Sequence, residues 1–122
     1  MMEKIIERNM KLMKDEECFH EIFSDVEIEL IKNIKKIIQN HKNFGNTITV
    51  RFSGGYVRDK LLGDFSNDID ISIDGIDYIS FTQELAQFYP TSSNIEIFRG
   101  TGKSKKKENK RISVAHIRLF TN

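Results

Sequence analysis

Cysteine and proline are almost absent from this chain, which has one of each among its 122 residues. The single cysteine, Cys18, cannot form an internal disulfide and fits a reducing compartment. Long apolar runs are also lacking, so the sequence predicts neither a membrane span nor the apolar core of a signal peptide. Glu3 and Glu7, with no serine near them, argue against a mitochondrial transit peptide. These absences favour the cytoplasm, leave a nuclear or mitochondrial pool open, and predict no membrane partner.

A strong excess of either charge is lacking as well. The chain contains 19 lysines and arginines against 18 acidic residues, so net charge gives no reason to expect a nucleic-acid partner. Charged residues make up 30% and hydrophobic residues 39% of the sequence, which is typical of a globular protein rather than a disordered one. The length allows one domain with a modest core.

Hydrophobic periodicity predicts an α+β (mixed α/β) fold, a sheet with helices packed on it. An amphipathic helix is expected over Met1–Met13, and its apolar face could pack on a partner, although the oligomeric state stays open. A second helix starts at the capping box Ser24-x-x-Glu27. Strands are predicted over Thr47–Phe52, Asp68–Ile73, Ile95–Phe98 and Ile112–Phe120, and further helices over Tyr56–Leu62 and Tyr78–Tyr89. Cys18 is expected to be a small buried hydrophobic residue.

The stretch Arg51–Gly75 contains the most informative pattern, two aspartates one residue apart in a predicted strand. Side chains at positions i and i+2 of a strand share a face, so Asp68 and Asp70 should project side by side. Two like charges this close favour a counterion, and a divalent metal is the usual one. The spacing alone leaves a second interpretation open, a solvated or arginine-paired edge strand.

A glycine pair precedes the aspartates. Gly54 and Gly55 lack Cβ atoms, so their backbone N–H groups can approach an anion at the start of the next helix. Arg58, one helical turn later, adds a planar fork of donors suited to phosphate. A phosphate cradle combined with a carboxylate pair is equipment for metal-assisted phosphoryl or nucleotidyl transfer.

Two other motifs are incomplete. Gly100–Ser104 ends like a Walker A loop, but Ile97 replaces its first glycine and no helical pattern follows. Asp70–Gly75 begins like an EF-hand loop, but its twelfth position is Phe81 instead of glutamate. Neither a P-loop nor a calcium loop is expected.

The ordered set Gly54-Gly55-x-Val57-Arg58-Asp59-x-Leu61-Leu62-Gly63, with Asp68-x-Asp70 after four further residues, resembles a known signature. It is that of the head domain of tRNA nucleotidyltransferases, the CCA-adding enzymes of the class shared with bacterial poly(A) polymerases. Val50–Ser53 and Tyr56 are similar to the eukaryotic branch. The resemblance implies a polymerase-β-like nucleotidyltransferase sheet, with a helical lead-in over residues 1–23 and the head domain over residues 24–122.

In that family, Asp68 and Asp70 would be the catalytic residues and would hold two Mg²⁺ ions. One ion would activate the 3′-hydroxyl of tRNA and the other would steady the triphosphate of CTP or ATP. Ser53, Gly54, Gly55 and Arg58 would contact that triphosphate. Family members are several times longer, so we expect a fragment, a truncated gene model or a split protein without the C-terminal domains. Such a chain is expected to be weak or inactive alone, and the choice between CTP, ATP or both stays open.

The segment Lys103–Arg111 holds six cations and one acid in nine positions. It is interpreted either as a flexible, solvated hairpin loop or as a contact with the tRNA backbone near the acceptor end. The RNA-binding hypothesis concerns Lys103, Lys105, Lys106 and Lys107. For the whole chain, the alternatives to CCA addition are a poly(A) polymerase and a non-catalytic nucleotide- or RNA-binding module.

Overall fold

The computed structural model describes residues 2–64 and 67–89, the backbone of residues 95–98, 105–107 and 110–119, and the side chain of Ile117. The elements are α1 (Met2–Lys14), a 3₁₀ helix (Glu16–Glu21), α2 (Asp25–Asn43), β1 (Thr49–Ser53), α3 (Gly55–Leu61), β2 (Asp68–Asp74), α4 (Tyr78–Ala86), β3 (Ile95–Phe98), β4 (Lys105–Lys107) and β5 (Lys110–Leu119). Among these residues, no helix is both long and apolar enough to cross a bilayer.

The sheet has the strand order β1-β2-β5-β3, with β4 paired to β5 outside this path. Each described pairing is antiparallel. β2 lies between β1 and β5, so the aspartate pair is on an interior strand and the edge-strand interpretation is wrong. Strands and helices occur in one packed unit, which confirms the α+β class.

The side chains of β2 alternate between the core and the opposite face of the sheet. Its inward residues Ile69, Ile71 and Ile73 have no exposed surface, whereas Asp68 and Asp74 are exposed and Asp70 is half-buried. This alternation follows from the two-residue repeat of a strand. The isoleucines share one core cluster with buried side chains of α2 and α4, namely Leu30, Ile34, Ile37, Phe81 and Leu85.

The capping box predicted for α2 is present. The Ser24 N–H donates to Glu27 Oε1 over 2.9 Å, and the Glu27 N–H donates to Ser24 Oγ over 3.2 Å. These two bonds satisfy backbone donors that the first turn of a helix leaves without partners. α2 then runs to Asn43 and ends before Gly45, whose φ is +84°.

α4 is shorter than its sequence pattern predicts. The helix was expected to continue to Tyr89, but it ends at Ala86, and Phe88 is exposed instead of packed. The N–H groups of residues 87–89 bond to carbonyls three residues back, which tightens the chain out of the α conformation. Pro90 disfavours the α conformation in Tyr89, the residue before it, so a helix that includes Tyr89 is disfavoured.

Two predictions near the N-terminus are corrected. Ile6, Met10 and Met13 are the residues expected to form the apolar face of α1. Ile6 and Met13 are half-buried but Met10 is exposed, so this face is narrower than expected. Cys18 lies in the 3₁₀ helix and is only half-buried, with its Sγ 3.5 Å from Asp15 Oδ2. Desolvation, and then the bond to Asp15, raise the pKa of the Cys18 thiol, which disfavours the reactive thiolate.

Residues next to or within the two incomplete motifs form strands. Asp70–Asp74 belong to β2, so these residues do not form a calcium-binding loop. Lys105–Lys107 form a strand at the point where a P-loop would require a helix. The Gly100–Ser104 segment itself lies outside the described residues.

Candidate active site

The turn between β1 and α3 brings the glycine pair next to the second aspartate. β1 ends at Ser53, Gly54 follows with φ +69° and ψ −149°, and α3 begins at Gly55. A Cβ atom on Gly54 would lie 3.2 Å from Asp70 Oδ2. Gly54 is therefore required twice, once by its left-handed backbone and once by the close approach of a carboxylate.

The β1–β2 register explains this approach. Ser53 is the direct partner of Asp70, and Phe52 is the partner of Ile71. Because directly paired residues of an antiparallel sheet share a face, Ser53 and Asp70 lie on the face opposite the isoleucine core. Asp68 comes two positions earlier on the same face, about 6.8 Å along the strand. The two carboxylates are thus on one side of the sheet, as predicted.

The donor set fits a hard divalent cation. Mg²⁺ prefers carboxylate oxygens and is commonly bound through one or two of them, keeping its other positions for water and phosphate oxygens. Asp68 is exposed and Asp70 is half-buried, so solvent and a ligand can reach both. Within the described part of the chain, no group of three or more His, Cys, Asp or Glu side chains could hold a metal. The pair therefore suits a cation that a bound phosphate helps to hold.

Arg58 folds back over the first turn of α3. A Cβ atom on Gly55 would lie 3.4 Å from Arg58 Nη2, and Arg58 Nε is 3.6 Å from Asp59 Oδ1. The Arg58 side chain is 73% exposed, so the guanidinium remains open to an incoming anion. Asp59 therefore lies beside the Arg58 guanidinium and can help to orient it.

The predicted site residues fall into two groups. Ser53, Gly54, Gly55, Arg58 and Asp70 surround one turn, with Asp68 two residues along the same strand face. The lysines proposed to bind RNA are not part of this group, and Lys103 lies outside the described residues.

The sequence interprets Lys103–Arg111 either as a solvated hairpin loop or as an RNA contact. Five of these nine residues lie in strands, so the loop interpretation is wrong for those five. Lys105–Lys107 form β4, which pairs with Lys110–Ile112 at the start of β5. Lys106 is the partner of Arg111, five residues from His116, which is the β5 partner of Asp70. The backbone of β4 is therefore about 17 Å along β5 from the level of Asp70. Pairing with a long neighbouring strand outweighs the low strand propensity of lysine.

The register also locates Glu96, the one acid on the strands that follow the pair. Glu96 is the partner of Arg118, and Arg118 is the partner of Asp68. The Glu96 backbone is thus two strands away from Asp68, about 9.6 Å across the sheet. This position gives no reason to add Glu96 to the candidate ligands.

A buried polar cluster beneath α3 was not foreseen. Glu27 and Lys60 form an ion pair over 2.7 Å, and the Tyr56 hydroxyl donates to the other Glu27 oxygen. Burial, and then the contact with Glu27, raise the pKa of Tyr56 far above its ordinary value, so its hydroxyl stays protonated and can donate. The available signal was the four-residue spacing of Tyr56 and Lys60 in a predicted helix, which places both on one face. Their partner is on a different element and could not be identified from the sequence.

Comparison with known proteins agrees with this arrangement. A family model described as the poly(A) polymerase head domain matches residues 50–122. The tRNA nucleotidyltransferase cca2 of Schizosaccharomyces pombe is 30% identical over 70 residues, which are 55% of this chain and 14% of that protein. The nucleotidyltransferase lcsQ of Purpureocillium lilacinum is 46% identical over 41 residues, 34% of this chain and 7% of that protein. No solved structure matches.

The chain thus covers a small part of each of these relatives. The family model, in contrast, matches more than half of the chain and includes the glycine turn, Arg58 and both aspartates. The observed α+β architecture is consistent with the polymerase-β-like fold of that family. The chain therefore belongs to the nucleotidyltransferase family of poly(A) polymerase and CCA-adding tRNA nucleotidyltransferase head domains.

Proposed function

We propose that this chain is the metal- and triphosphate-binding part of an enzyme that adds CMP and AMP to tRNA 3′ ends without a template. The observation that carries the proposal is the contact geometry at Gly54, where an added Cβ atom would lie only 3.2 Å from Asp70 Oδ2. A catalytic carboxylate and a phosphate cradle must be adjacent for nucleotidyl transfer, and the pairing of Ser53 with Asp70 supports assigning these roles to the two adjacent strands.

In this proposal, Asp68 and Asp70 are the ligands of two Mg²⁺ ions. When bound, Mg²⁺ would activate the 3′-hydroxyl of the RNA and neutralise charge on the triphosphate. The two carboxylates lie on a strand that is paired on both sides, with β1 and β5, and whose isoleucines Ile69, Ile71 and Ile73 are fully buried. A rigid support of this kind holds ligand oxygens in place before the cation arrives.

The phosphate-contacting residues are Ser53, Gly54, Gly55 and Arg58. Gly54 and Gly55 have no Cβ atoms, so a phosphate can approach their backbone N–H groups, and Arg58 supplies an exposed cation beside them. Asp70 carries negative charge next to this turn, so a triphosphate would be repelled unless a cation is present. Nucleotide binding is therefore expected to require the divalent metal.

The choice of tRNA as substrate rests on the relative named as a tRNA nucleotidyltransferase, of which this chain covers 14%. CTP and ATP are the corresponding nucleotides. Lys103, Lys105, Lys106 and Lys107 would contact the phosphate backbone near the acceptor end, a contact independent of base sequence. A poly(A) polymerase is the second candidate, because the matching family model carries that name.

The metal site is tested by changing one carboxylate at a time. Asp68→Asn and Asp70→Asn are each expected to weaken Mn²⁺ binding by about tenfold or more, because an amide replaces an anionic ligand. Mn²⁺ binding is measured by water-proton relaxation, and Mg²⁺-dependent CTP binding by calorimetry. Asp74→Asn is the matched control, since Asp74 is exposed on the same face at the other end of β2. Equal Mn²⁺ affinity in the wild type and all three variants would show that the pair is not the site.

The RNA substrate is tested with Mg²⁺, labelled CTP and ATP, and two RNAs: a tRNA lacking its 3′ CCA and an oligoadenylate. Addition of CMP and AMP to the tRNA, lost in Asp70→Asn, supports CCA addition, even at the low rate expected for this chain alone. Extension of the oligoadenylate in preference to the tRNA supports the poly(A) polymerase. Metal-dependent nucleotide binding without extension of either RNA fits both a non-catalytic binding module and a head domain that is inactive alone.

A further inference from the structure

The polar cluster beneath α3 consists of Glu27, Tyr56 and Lys60, and these three residues are called the positioning cluster below. Glu27 is 1%, Tyr56 3% and Lys60 6% exposed, so a carboxylate and an ammonium group are both nearly excluded from water. Burying two charges costs free energy that their attraction repays only when the geometry is good and further hydrogen bonds are made. Such a pair therefore calls for an explanation beyond stability.

The hydrogen bonds of the positioning cluster are complete. Lys60 Nζ donates to Glu27 Oε1 over 2.7 Å and to the Ile22 carbonyl over 3.2 Å. The same ammonium group lies 5.5 Å from the centre of the Phe23 ring and 5.8 Å from that of Tyr56. Glu27 accepts from Lys60, from the Tyr56 hydroxyl and from the Ser24 N–H of the capping box. The positioning cluster thus joins α3 to the start of α2 and to the segment before it.

α3 packs against α1, β1 and β2, and the polar contacts add direction to this packing. It is seven residues long, and a helix of that length is unstable by itself. Its far end is held by α1, since the Asn9 side-chain amide donates to the Leu61 carbonyl over 2.9 Å and to the Lys60 carbonyl over 3.3 Å. The orientation of α3 is therefore set by polar contacts with specific directions.

The face of α3 that enters the positioning cluster is opposite the face that carries the site. Tyr56 and Lys60 are four residues apart and share one side of the helix. Arg58 lies about 200° around the helix axis from Tyr56, on the open side. Any rotation of α3 that shifts Lys60 away from Glu27 also moves Arg58 and the Gly54–Gly55 turn relative to Asp70.

We propose that Glu27, Tyr56 and Lys60 orient α3 so that the Gly54–Gly55 turn faces the Asp70 carboxylate and Arg58 stays on the open side of the helix. Only one consequence of this role, a change in affinity for the metal–triphosphate complex, rests on the proposed function. None of the three residues touches the site itself, so they are positioning residues. An apolar core at the same place would hold α3 against α2 without fixing its rotation, because apolar contacts have no preferred direction.

The test uses Tyr56→Phe, which removes only the hydroxyl, Lys60→Met, and the double variant Glu27→Leu/Lys60→Met, which replaces the buried pair by apolar side chains. Glu29→Gln and Lys32→Met, both exposed on α2, are the matched controls. Three readouts are compared: the thermal midpoint, the ¹H–¹⁵N signals of Gly54, Gly55 and the Arg58 Nε–H group, and the dissociation constant for CTP with Mg²⁺.

Tyr56→Phe and Lys60→Met are expected to shift or broaden the three site signals in folded protein and to weaken Mg²⁺–CTP binding by about tenfold or more. The double variant is expected to recover part of the thermal midpoint lost by Lys60→Met, but not all of it, because Glu27→Leu also removes the acceptor of the Ser24 N–H and of the Tyr56 hydroxyl. Its site signals should remain displaced. The controls should change neither signals nor affinity.

A fall in thermal midpoint with wild-type signals for Gly54, Gly55 and Arg58 would overturn the proposal, because the positioning cluster would then act on stability alone. The proposal is also overturned if the double variant has both wild-type signals and wild-type affinity. If the wild-type chain binds no Mg²⁺–CTP, the proposed function fails, but the signals still decide the positioning role. The two failures are thus distinguishable.

Discussion

At the scale of single residues, Gly54 combines a backbone requirement with a site requirement. Its φ of +69° and ψ of −149° lie in a region that residues with a Cβ atom strongly disfavour. The absence of a Cβ atom also leaves room for Asp70 Oδ2, because a Cβ on Gly54 would lie only 3.2 Å from that oxygen. Strain and access to the carboxylate can be separated by experiment, because the chain contains other glycines with positive φ.

Gly54→Ala is expected to lower the free energy of unfolding by about 1–3 kcal/mol through backbone strain. It should also weaken Mn²⁺ binding, since the new methyl group displaces the Asp70 carboxylate. Gly63→Ala is the control: Gly63 has φ +79°, but a Cβ there would meet no atom within 4 Å. Chemical denaturation and Mn²⁺ titration of both variants measure the two effects. Unchanged Mn²⁺ affinity in folded Gly54→Ala would show that the glycine serves the backbone only.

At the scale of elements, α2 and α4 each begin directly after a residue whose side chain caps the first turn, Ser24 and Asp77 respectively. α4 starts after Asp77, whose Oδ1 accepts from the Ser80 N–H over 2.9 Å and whose Oδ2 accepts from the Ser80 hydroxyl over 2.8 Å. These bonds to Ser80, the backbone one first, lower the pKa of the Asp77 carboxyl. α4 supplies Phe81 and Leu85 to the core, so this cap affects the packing of β2.

This lowered pKa gives a pH prediction with a definite sign. A carboxyl whose pKa is lower in the folded state stabilises the protein above its unfolded value, about 3.9, and loses that contribution as the pH falls through the folded value. Asp77→Asn keeps a capping oxygen but cannot titrate. The thermal midpoint of the wild type should therefore exceed that of Asp77→Asn by less at acid pH than at neutral pH. Thermal unfolding from about pH 6 to about pH 2 measures this difference.

Glu7→Gln is the control for Asp77→Asn, because it removes an exposed carboxyl from the interior of α1 without removing a cap. Its difference from the wild type should not show the acid-dependent narrowing. A constant difference between the wild type and Asp77→Asn over the whole pH range would contradict the role assigned to the cap.

At the scale of the whole molecule, the sheet separates two charged regions along one strand. The carboxylates pair with residues near the C-terminal end of β5, and the lysines of β4 pair with its first residues. The two regions are about 17 Å apart along that strand. An RNA whose 3′ end reaches Asp68 and Asp70 could therefore extend its phosphate backbone toward β4, away from the negative charge of the site.

The triple change of Lys105–Lys107 to glutamate is expected to weaken tRNA binding and to reduce its salt dependence, because fewer counterions are released. The control changes Lys4, Lys11 and Lys14, exposed on α1, to glutamate and alters the net charge by the same amount. Filter binding at two salt concentrations measures both slopes. Equal losses in the two variants would indicate a general charge effect, and unchanged affinity at low salt would exclude the contact.

The sequence predicted the parts of the fold that depend on neighbours along the chain. The capping box at Ser24, the alternation from Asp68 to Asp74 and the glycine turn all involve residues within a few positions of each other. β4 was missed because three lysines have low strand propensity, and only pairing with β5 makes them a strand. α4 was predicted too long because its apolar spacing continues beyond the residue at which the backbone leaves the α conformation.

What the sequence determined by itself is the list of groups at the candidate site, because the glycine pair, Arg58 and the two aspartates occur together in one ordered motif. The tertiary structure decided how these groups meet. The Ser53–Asp70 register brings the turn to the carboxylate, and the Glu27–Lys60 pair, 33 positions apart in the chain, fixes the helix that carries Arg58. Long-range pairings of this kind depend on the packing of the whole core, and no local pattern specifies them.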